Sequence, residues 1–192
     1  ATDHLSWYQL TLEPNTLFHS QPPVLPNEDT LVDIQDTGQE LLQAAGFQQY
    51  EISAWCQPGN VAQHNLNYWQ FGDYLGIGAG AHGKVSSIQD GKLVISRRVK
   101  LRQPKAYLHS IQPLASHTTV ADKDLPLEFF INVLRLREGV AEHLYEQRTG
   151  LKLTNVVPLS RLRQRQLMVA EGLQTTPLGW RFLNEVLADF EL

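Results

Sequence analysis

The first 83 residues contain no lysine or arginine, against nine carboxylates: Asp3, Glu13, Glu28, Asp29, Asp33, Asp36, Glu40, Glu51 and Asp73. A segment with one sign of charge repels itself when compact, so its fold must find cations elsewhere. The next stretch supplies them. Residues 84–117 carry Lys84, Lys92, Arg97, Arg98, Lys100, Arg102 and Lys105 against Asp90 alone, residues 118–192 are nearly balanced, and the 192-residue chain is −4 overall. Two readings stay open: the basic stretch neutralises an acidic face within one fold, or the run 97–105 holds an anionic ligand such as a carboxylate or phosphate. A net acidic chain argues against nucleic acid as the main partner.

With 42% hydrophobic and 19% charged residues, the chain is globular rather than disordered or collagen-like. No apolar run approaches the ~20 residues of a membrane helix, so no integral membrane segment is expected. No basic stretch followed by an apolar one marks a signal peptide. Cys56 is the only cysteine, which excludes an internal disulfide and a cysteine-held zinc or iron–sulfur site within the chain. That usage fits a reducing cytoplasm. The sequence begins Ala1-Thr2-Asp3 rather than with Met, so a piece of something longer is expected.

Residues 5–12 (LSWYQLTL) read as a strand closed by Glu13-Pro14-Asn15. Asn27 is a good N-cap, Glu28 and Asp29 suit the first turn of a helix, and Leu31, Ile34, Leu41, Leu42 and Ala45 mark its apolar face up to Gly46. Residues 47–55 alternate like a second strand. Strand–helix–strand at this spacing implies a βαβ unit with parallel strands, hence a truncated barrel or sheet; antiparallel pairing would remove that ground. Residues 84–88 and 93–99 form a hairpin about Asp90-Gly91. Pro104 opens a short helix, residues 112–122 are a polar connector, and Leu127, Phe130, Ile131 and Leu134 mark the face of the next helix. A short helix, a longer one over about 156–171, a strand-like piece and a last helix give a winged-helix order.

Several constellations bear on chemistry. Gly78, Gly80 and Gly83 fit G-x-G-x-x-G, yet a hairpin follows instead of the helix that a dinucleotide site needs. The loop 76–83 reads instead as a close backbone approach to another segment or to a flat ligand. His64, Tyr68 and Phe71 share one helical face, beside Asn65 and Trp69; both an axial ligand for an iron macrocycle and a packed core histidine are open from the residues alone. Cys56, His64 and His82 lack zinc-ligand spacing. Glu13 and Glu51 are candidate acid/base groups, or ordinary paired carboxylates. Arg161, Arg163 and Arg165 lie on the helix that would read DNA in a winged-helix unit, but the segment is not basic and a solvated face is expected.

The run HNLNYWQFGDYLGIGAGAHGK (64–84), with LSWYQLTLEPNT (5–16), QYEISAW (49–55), LEFFINVLRLREGV (127–140) and RTGL (148–151), closely resembles the oxygen-independent coproporphyrinogen III oxidase-like radical SAM proteins, in particular their heme-chaperone branch, HemW. The resemblance covers nearly the whole chain. It implies an α/β fold: the C-terminal portion of a partial (βα) barrel with a hairpin extension over 1–117, then a mostly helical, HemN-type winged-helix-like domain over 118–192. It implies a parent with a 4Fe-4S cluster on a CxxxCxxC loop and S-adenosylmethionine beside it. Neither that loop nor three further cysteines are here, so the chain alone should be inactive in radical chemistry.

The family's heme motif HNxxYW matches His64, Asn65, Tyr68 and Trp69, which makes His64 the implied iron ligand, one imidazole nitrogen facing the metal and the other held by an acceptor. Thr11 matches a strand position near S-adenosylmethionine. The implied function is binding heme and delivering it to acceptor proteins in the cytoplasm. The alternatives are the corresponding part of a coproporphyrinogen oxidase and a ligand-free interaction module. Arg98, Lys100 and Arg102 should then project to one side, near the acidic surface or lining the porphyrin cleft. One departure stands out: only Leu173-Gln174-Thr175-Thr176 separate Gly172 from the last helix, so a wing loop is either missing there or deleted.

Overall fold

The computed structural model of the chain describes residues 2–191. In residues 1–62 the order is β1 (His4–Ser6), α1 (Leu17–Ser20), α2 (Glu28–Ala44), β2 (Gln48–Glu51) and β3 (Ala54–Cys56). Helix α2 starts where its cap predicts: Asn27 Oδ1 accepts from the Thr30 amide at 2.8 Å, and Glu28 and Asp29 occupy the first turn. Gly38, unfavourable inside a helix, is there because a Cβ would lie 2.0 Å from the Trp7 indole. No residue of α2 is buried, so its stability leans on local terms. Asn27→Ala is therefore expected to cost about 1 kcal/mol, read by urea unfolding followed at 222 nm, with Asn27→Asp close to wild type. Equal midpoints for all three would show that the cap contributes nothing.

The expected strand over 5–12 is shorter, ending at Ser6, and the expected strand over 47–55 is two strands folded back at Ile52-Ser53. The sheet order is β1-β3-β2, and β3 is antiparallel to both neighbours, with Leu5 opposite Trp55 and Gln49 opposite Trp55. Strands β1 and β2 thus run in the same direction, but β3 lies between them. The simple βαβ unit is corrected: the alternation in 47–55 conceals a reversal, because a period of two survives a tight turn.

Residues 63–192 form the second compact unit. It continues with α3 (Gln63–Trp69), β4 (His82–Gln89), β5 (Lys92–Lys100), α4 (Pro104–His109), β6 (Leu114–Thr119), α5 (Leu125–Val133), α6 (His143–Thr149), a 3-10 turn at Leu153–Asn155, α7 (Pro158–Gln164), α8 (Pro177–Arg181) and α9 (Leu183–Ala188). The hairpin β4–β5 turns at Asp90 (φ 50°) and Gly91 (φ 78°), both left-handed, as a two-residue turn with matching twist requires. The polar connector proves to contain β6, an edge strand on β5 with all six residues exposed. Phe71 and Ile95 share one core with Phe129, Phe130, Tyr145, Leu162, Met168, Leu173, Val186 and Phe190. The boundary expected at 117/118 falls inside this unit, because sheet and helices bury the same cluster.

Two details of the helical part differ from expectation. Helix α5 buries Leu125, Phe129, Phe130 and Val133, and of the four residues picked by spacing Leu127, Phe130 and Leu134 face the core while Ile131 is 48% exposed. The helix expected over 156–171 ends at Gln164, where Gln166 (φ 58°) turns the chain back. Residues 173–176 then form the return of a minimal wing: Thr175 bridges Met168, Leu173 bridges Val140, and the Thr176 amide donates to Leu167 O at 3.1 Å. No wing loop intervenes.

Candidate functional site

Helix α3 carries the motif. His64 is exposed on its first turn, and Asn65, Tyr68 and Trp69 are half-buried. The His64 ring meets Tyr68 edge-on (4.7 Å, 89°), and Tyr68 meets Tyr74 (4.4 Å, 67°). The imidazole makes no hydrogen bond among the described residues, so the acceptor expected for its second nitrogen is replaced by ring packing. The Arg135 guanidinium covers the Trp69 ring at 4.3 Å.

The helix is stopped and pinned within a few residues. Phe71 (φ 56°) is buried against Phe129, ring centres 5.6 Å apart. Asn67 Nδ2 donates to Asp73 O at 2.9 Å. The Asp73 carboxylate accepts from Lys84 Nζ (2.9 Å), the Ser86 amide (2.8 Å) and Ser86 Oγ (2.8 Å). Lys84 is only 2% exposed and lies 4.2 Å over the Phe71 ring. Burial would raise the Asp73 carboxyl, but these donors together hold it below its ordinary value. Burial lowers Lys84, and the attraction of Asp73 only partly offsets it. The partners differ because Lys84 has lost its water while Asp73 keeps much of its own.

Behind the helix, the backbones of 74–76 and 82–84 run close together. Tyr74 and Lys84 exchange both amide bonds (2.9 and 3.0 Å), and a Cβ on Gly76 would sit 2.4 Å from His82 O. The close approach expected of the glycine loop is thus to its own returning strand. The hydroxyl of Tyr74 accepts from Arg97 Nη1 at 2.9 Å, and Arg97 is ion-paired with Glu128 on α5. None of Asp73, Tyr74, Lys84, Arg97 or Glu128 belongs to the HNxxYW motif; the available signals were the isolated lysine after a glycine run and the basic run that begins at Arg97.

The alternation of β5 puts Arg97 with Lys84 on the core face and Arg98 with Lys100 on the other. Arg98 and Lys100 line a cleft of about 210 Å³ with Leu75, Ile77 and Val85. They therefore share a side as expected, on the sheet face opposite Lys84 and Arg97, and Tyr74 lines the same cleft. Arg102 lies beyond β5, beside Gly80.

The other candidates are dispersed. Thr11 is exposed in an extended segment, not a strand, and lines a cavity of about 470 Å³ with Trp7, Ile34 and Trp55. Glu13 is exposed in a loop and Glu51 is buried in β2. Burial pushes the Cys56 thiol up, against a weaker lowering by a backbone hydrogen bond, the reverse of what a metal-bound thiolate needs. No group of three metal-ligating side chains exists among the described residues. Arg161 and Arg165 pair with Asp189 (2.5 and 3.2 Å) and Arg163 with Glu142 (2.5 Å). They tie α7 to its neighbours while Arg161 and Arg165 stay exposed, as expected of a solvated face.

Residues 120–182 match the HemN C-terminal domain. Over 97% of its length the chain is 47% identical to the heme chaperone HemW of Escherichia coli (strain K12) and 45% identical to that of Haemophilus influenzae, covering 49% of each. Along nearly its whole length the chain is thus similar to proteins named heme chaperone HemW. A mouse mitochondrial radical S-adenosyl methionine domain-containing protein 1 is 32% identical over 89% of the chain. The chain spans about half the length of the curated relatives it matches, 49% for the first two and 40% for the mouse protein. In fold it is similar to E. coli coproporphyrinogen III oxidase (HemN), a radical SAM enzyme, with a TM-score of 0.68 at 16% identity over 99% of the chain and 48% of that protein. The fold is accordingly a mixed α/β one that matches part of that structure, with small sheets and, among the described residues, no closed barrel. No described helix is long and apolar enough to cross a membrane.

Proposed function

We propose that this chain is the heme-holding part of a radical SAM heme chaperone, taking heme as cargo on His64 and passing it to acceptor proteins. The observation that carries the reading is an exposed imidazole, free of hydrogen bonds among the described residues and backed edge-on by Tyr68 within a matching HNxxYW motif. A neutral imidazole offers its lone pair to iron, and histidine is a common axial ligand of heme. Tyr68 supplies a rigid support, and the neighbouring Trp69 is held by Arg135. An exposed site suits cargo that must leave again. The single cysteine suits a reducing compartment, the cytoplasm in this reading.

A 4Fe-4S cluster and S-adenosylmethionine belong to the same proposal for the longer protein. The residues here do not fit the cluster: Cys56 is alone, buried and biased toward the thiol. The radical chemistry therefore has no step within this chain.

The test is titration of the protein with hemin, with His64→Ala beside wild type. The variant is expected to bind at least about tenfold more weakly, a loss of about 1.4 kcal/mol, and to show a displaced Soret band. An unchanged affinity and band would reject His64 as the ligand. Consumption of coproporphyrinogen by the full-length protein would favour the oxidase alternative instead.

A further inference from the structure

We infer that Tyr74, braced by Arg97 and Glu128, is a positioning residue that aims the His64 imidazole; the inference rests on the proposed role of His64. An exposed histidine on the first turn of a seven-residue helix, with no hydrogen bond among the described residues, is oriented only by what its ring touches. It touches Tyr68, four residues on, at 4.7 Å and 89°. Tyr68 is itself half-buried and needs a stop, and Tyr74 provides one at 4.4 Å.

Tyr74 differs from both in being fixed at two ends. Its backbone exchanges two hydrogen bonds with Lys84 of β4, and its hydroxyl accepts from Arg97 of β5. Arg97 spends its other terminal nitrogen on Glu128 of α5. A guanidinium presents several donors in one rigid plane, so a single Arg97 can hold a phenol and a carboxylate together. The row His64, Tyr68, Tyr74, Arg97, Glu128 therefore links the exposed ligand to a helix within residues 120–182. The helical domain acquires a task in this picture: it braces the ligand side chain.

The test compares Tyr74→Leu, which removes the ring, with Tyr74→Phe, which keeps it, by hemin titration and by the Soret maximum at saturation. Tyr74→Leu is expected to weaken hemin binding roughly threefold to tenfold and to displace the Soret band. Added imidazole should return the band to its wild-type position by replacing the misaimed ring. Tyr74→Phe should restore most of the affinity. A purely structural role would lower the melting temperature and leave the band of the saturated protein where it was. A normal affinity and band in Tyr74→Leu, with both altered in His64→Ala, would overturn the inference and leave the ligand intact; no change in His64→Ala would overturn the ligand itself. Should Tyr74→Leu fail to fold, Glu128→Gln decides, since it loosens Arg97 and leaves every ring in place. A displaced band there supports the brace, and an unchanged one rejects it.

Discussion

Phe130→Ala is expected to lower the stability of the 63–192 unit by about 3–5 kcal/mol, enough to unfold a large share of it in mild urea. Phe130 is fully buried, stacks on Phe190 (4.3 Å, 20°) and Tyr145 (5.8 Å, 25°), and meets Phe129 edge-on at 5.4 Å. Its removal opens a cavity between α5, α6 and the C-terminal helix, where three other aromatic rings are already engaged and none is free to move in. Ile131 is the control. Neighbouring in sequence but 48% exposed, it should change stability by about 0.5 kcal/mol or less as Ile131→Ala. Urea midpoints of the two variants measure the difference. Equal losses would mean that α5 presents a face other than the one described.

The same pair of residues explains what the sequence could and could not disclose. Spacing found α5 as a helix and found Phe130, yet it also chose Ile131, because an apolar count cannot tell which neighbours arrive from elsewhere. Asn27 and the Asp90-Gly91 turn were legible because their signals are local: a side chain capping its own helix and two residues required at positive φ. The return at Ile52-Ser53 was not, since a lone serine among apolar residues is a weak turn signal and the alternation continues through it. Strand β6 was invisible because an edge strand with both faces exposed has no apolar face to betray it.

At the candidate site the motif placed His64, Tyr68 and Trp69 on one short helix, and the structure does so too. What fixes that helix was beyond a motif. Tyr74 and Arg97 are 23 residues apart, Arg97 and Glu128 are 31 apart, and only the folded sheet brings them together. The charge pattern was legible in outline and not in pairing. Lys84 is answered by Asp73 from the acidic stretch, but Lys92 is answered by Asp122 and Arg97 by Glu128, both beyond the basic stretch.

The Lys84–Asp73 pair carries the second large effect, with a pH signature of its own. Lys84 is a charge in an apolar setting, under Phe71 and 2% exposed, and Asp73 is its counter-ion at 2.9 Å. Removing one member of a buried pair costs about 3–5 kcal/mol. Asp73 keeps 41% of its side-chain exposure, so water screens part of the interaction and about 2 kcal/mol is the expected loss for Asp73→Ala at pH 7.

In the wild type the Asp73 carboxyl titrates lower in the folded protein than in the unfolded chain. Its contribution is fully present above the ordinary carboxylate value and disappears as pH falls through the depressed folded value. Asp73→Ala should remove that part of the acid dependence. Lys84 shifts stability in the same direction at the alkaline end: its folded value is depressed by burial, so the unfolded chain binds the proton more tightly and stability rises with pH between the folded and the ordinary lysine values. Without Asp73 that depression deepens, and Asp73→Ala should regain stability at a lower pH than wild type does. The double variant Asp73→Ala/Lys84→Met puts an apolar chain of similar length under Phe71 and leaves no charge to strand, so it should recover most of the loss. Urea titrations from pH 3 to 10 on the three proteins measure all of this. A double variant as unstable as Asp73→Ala would show that the loss comes from the Ser86 hydrogen bonds and not from the stranded lysine.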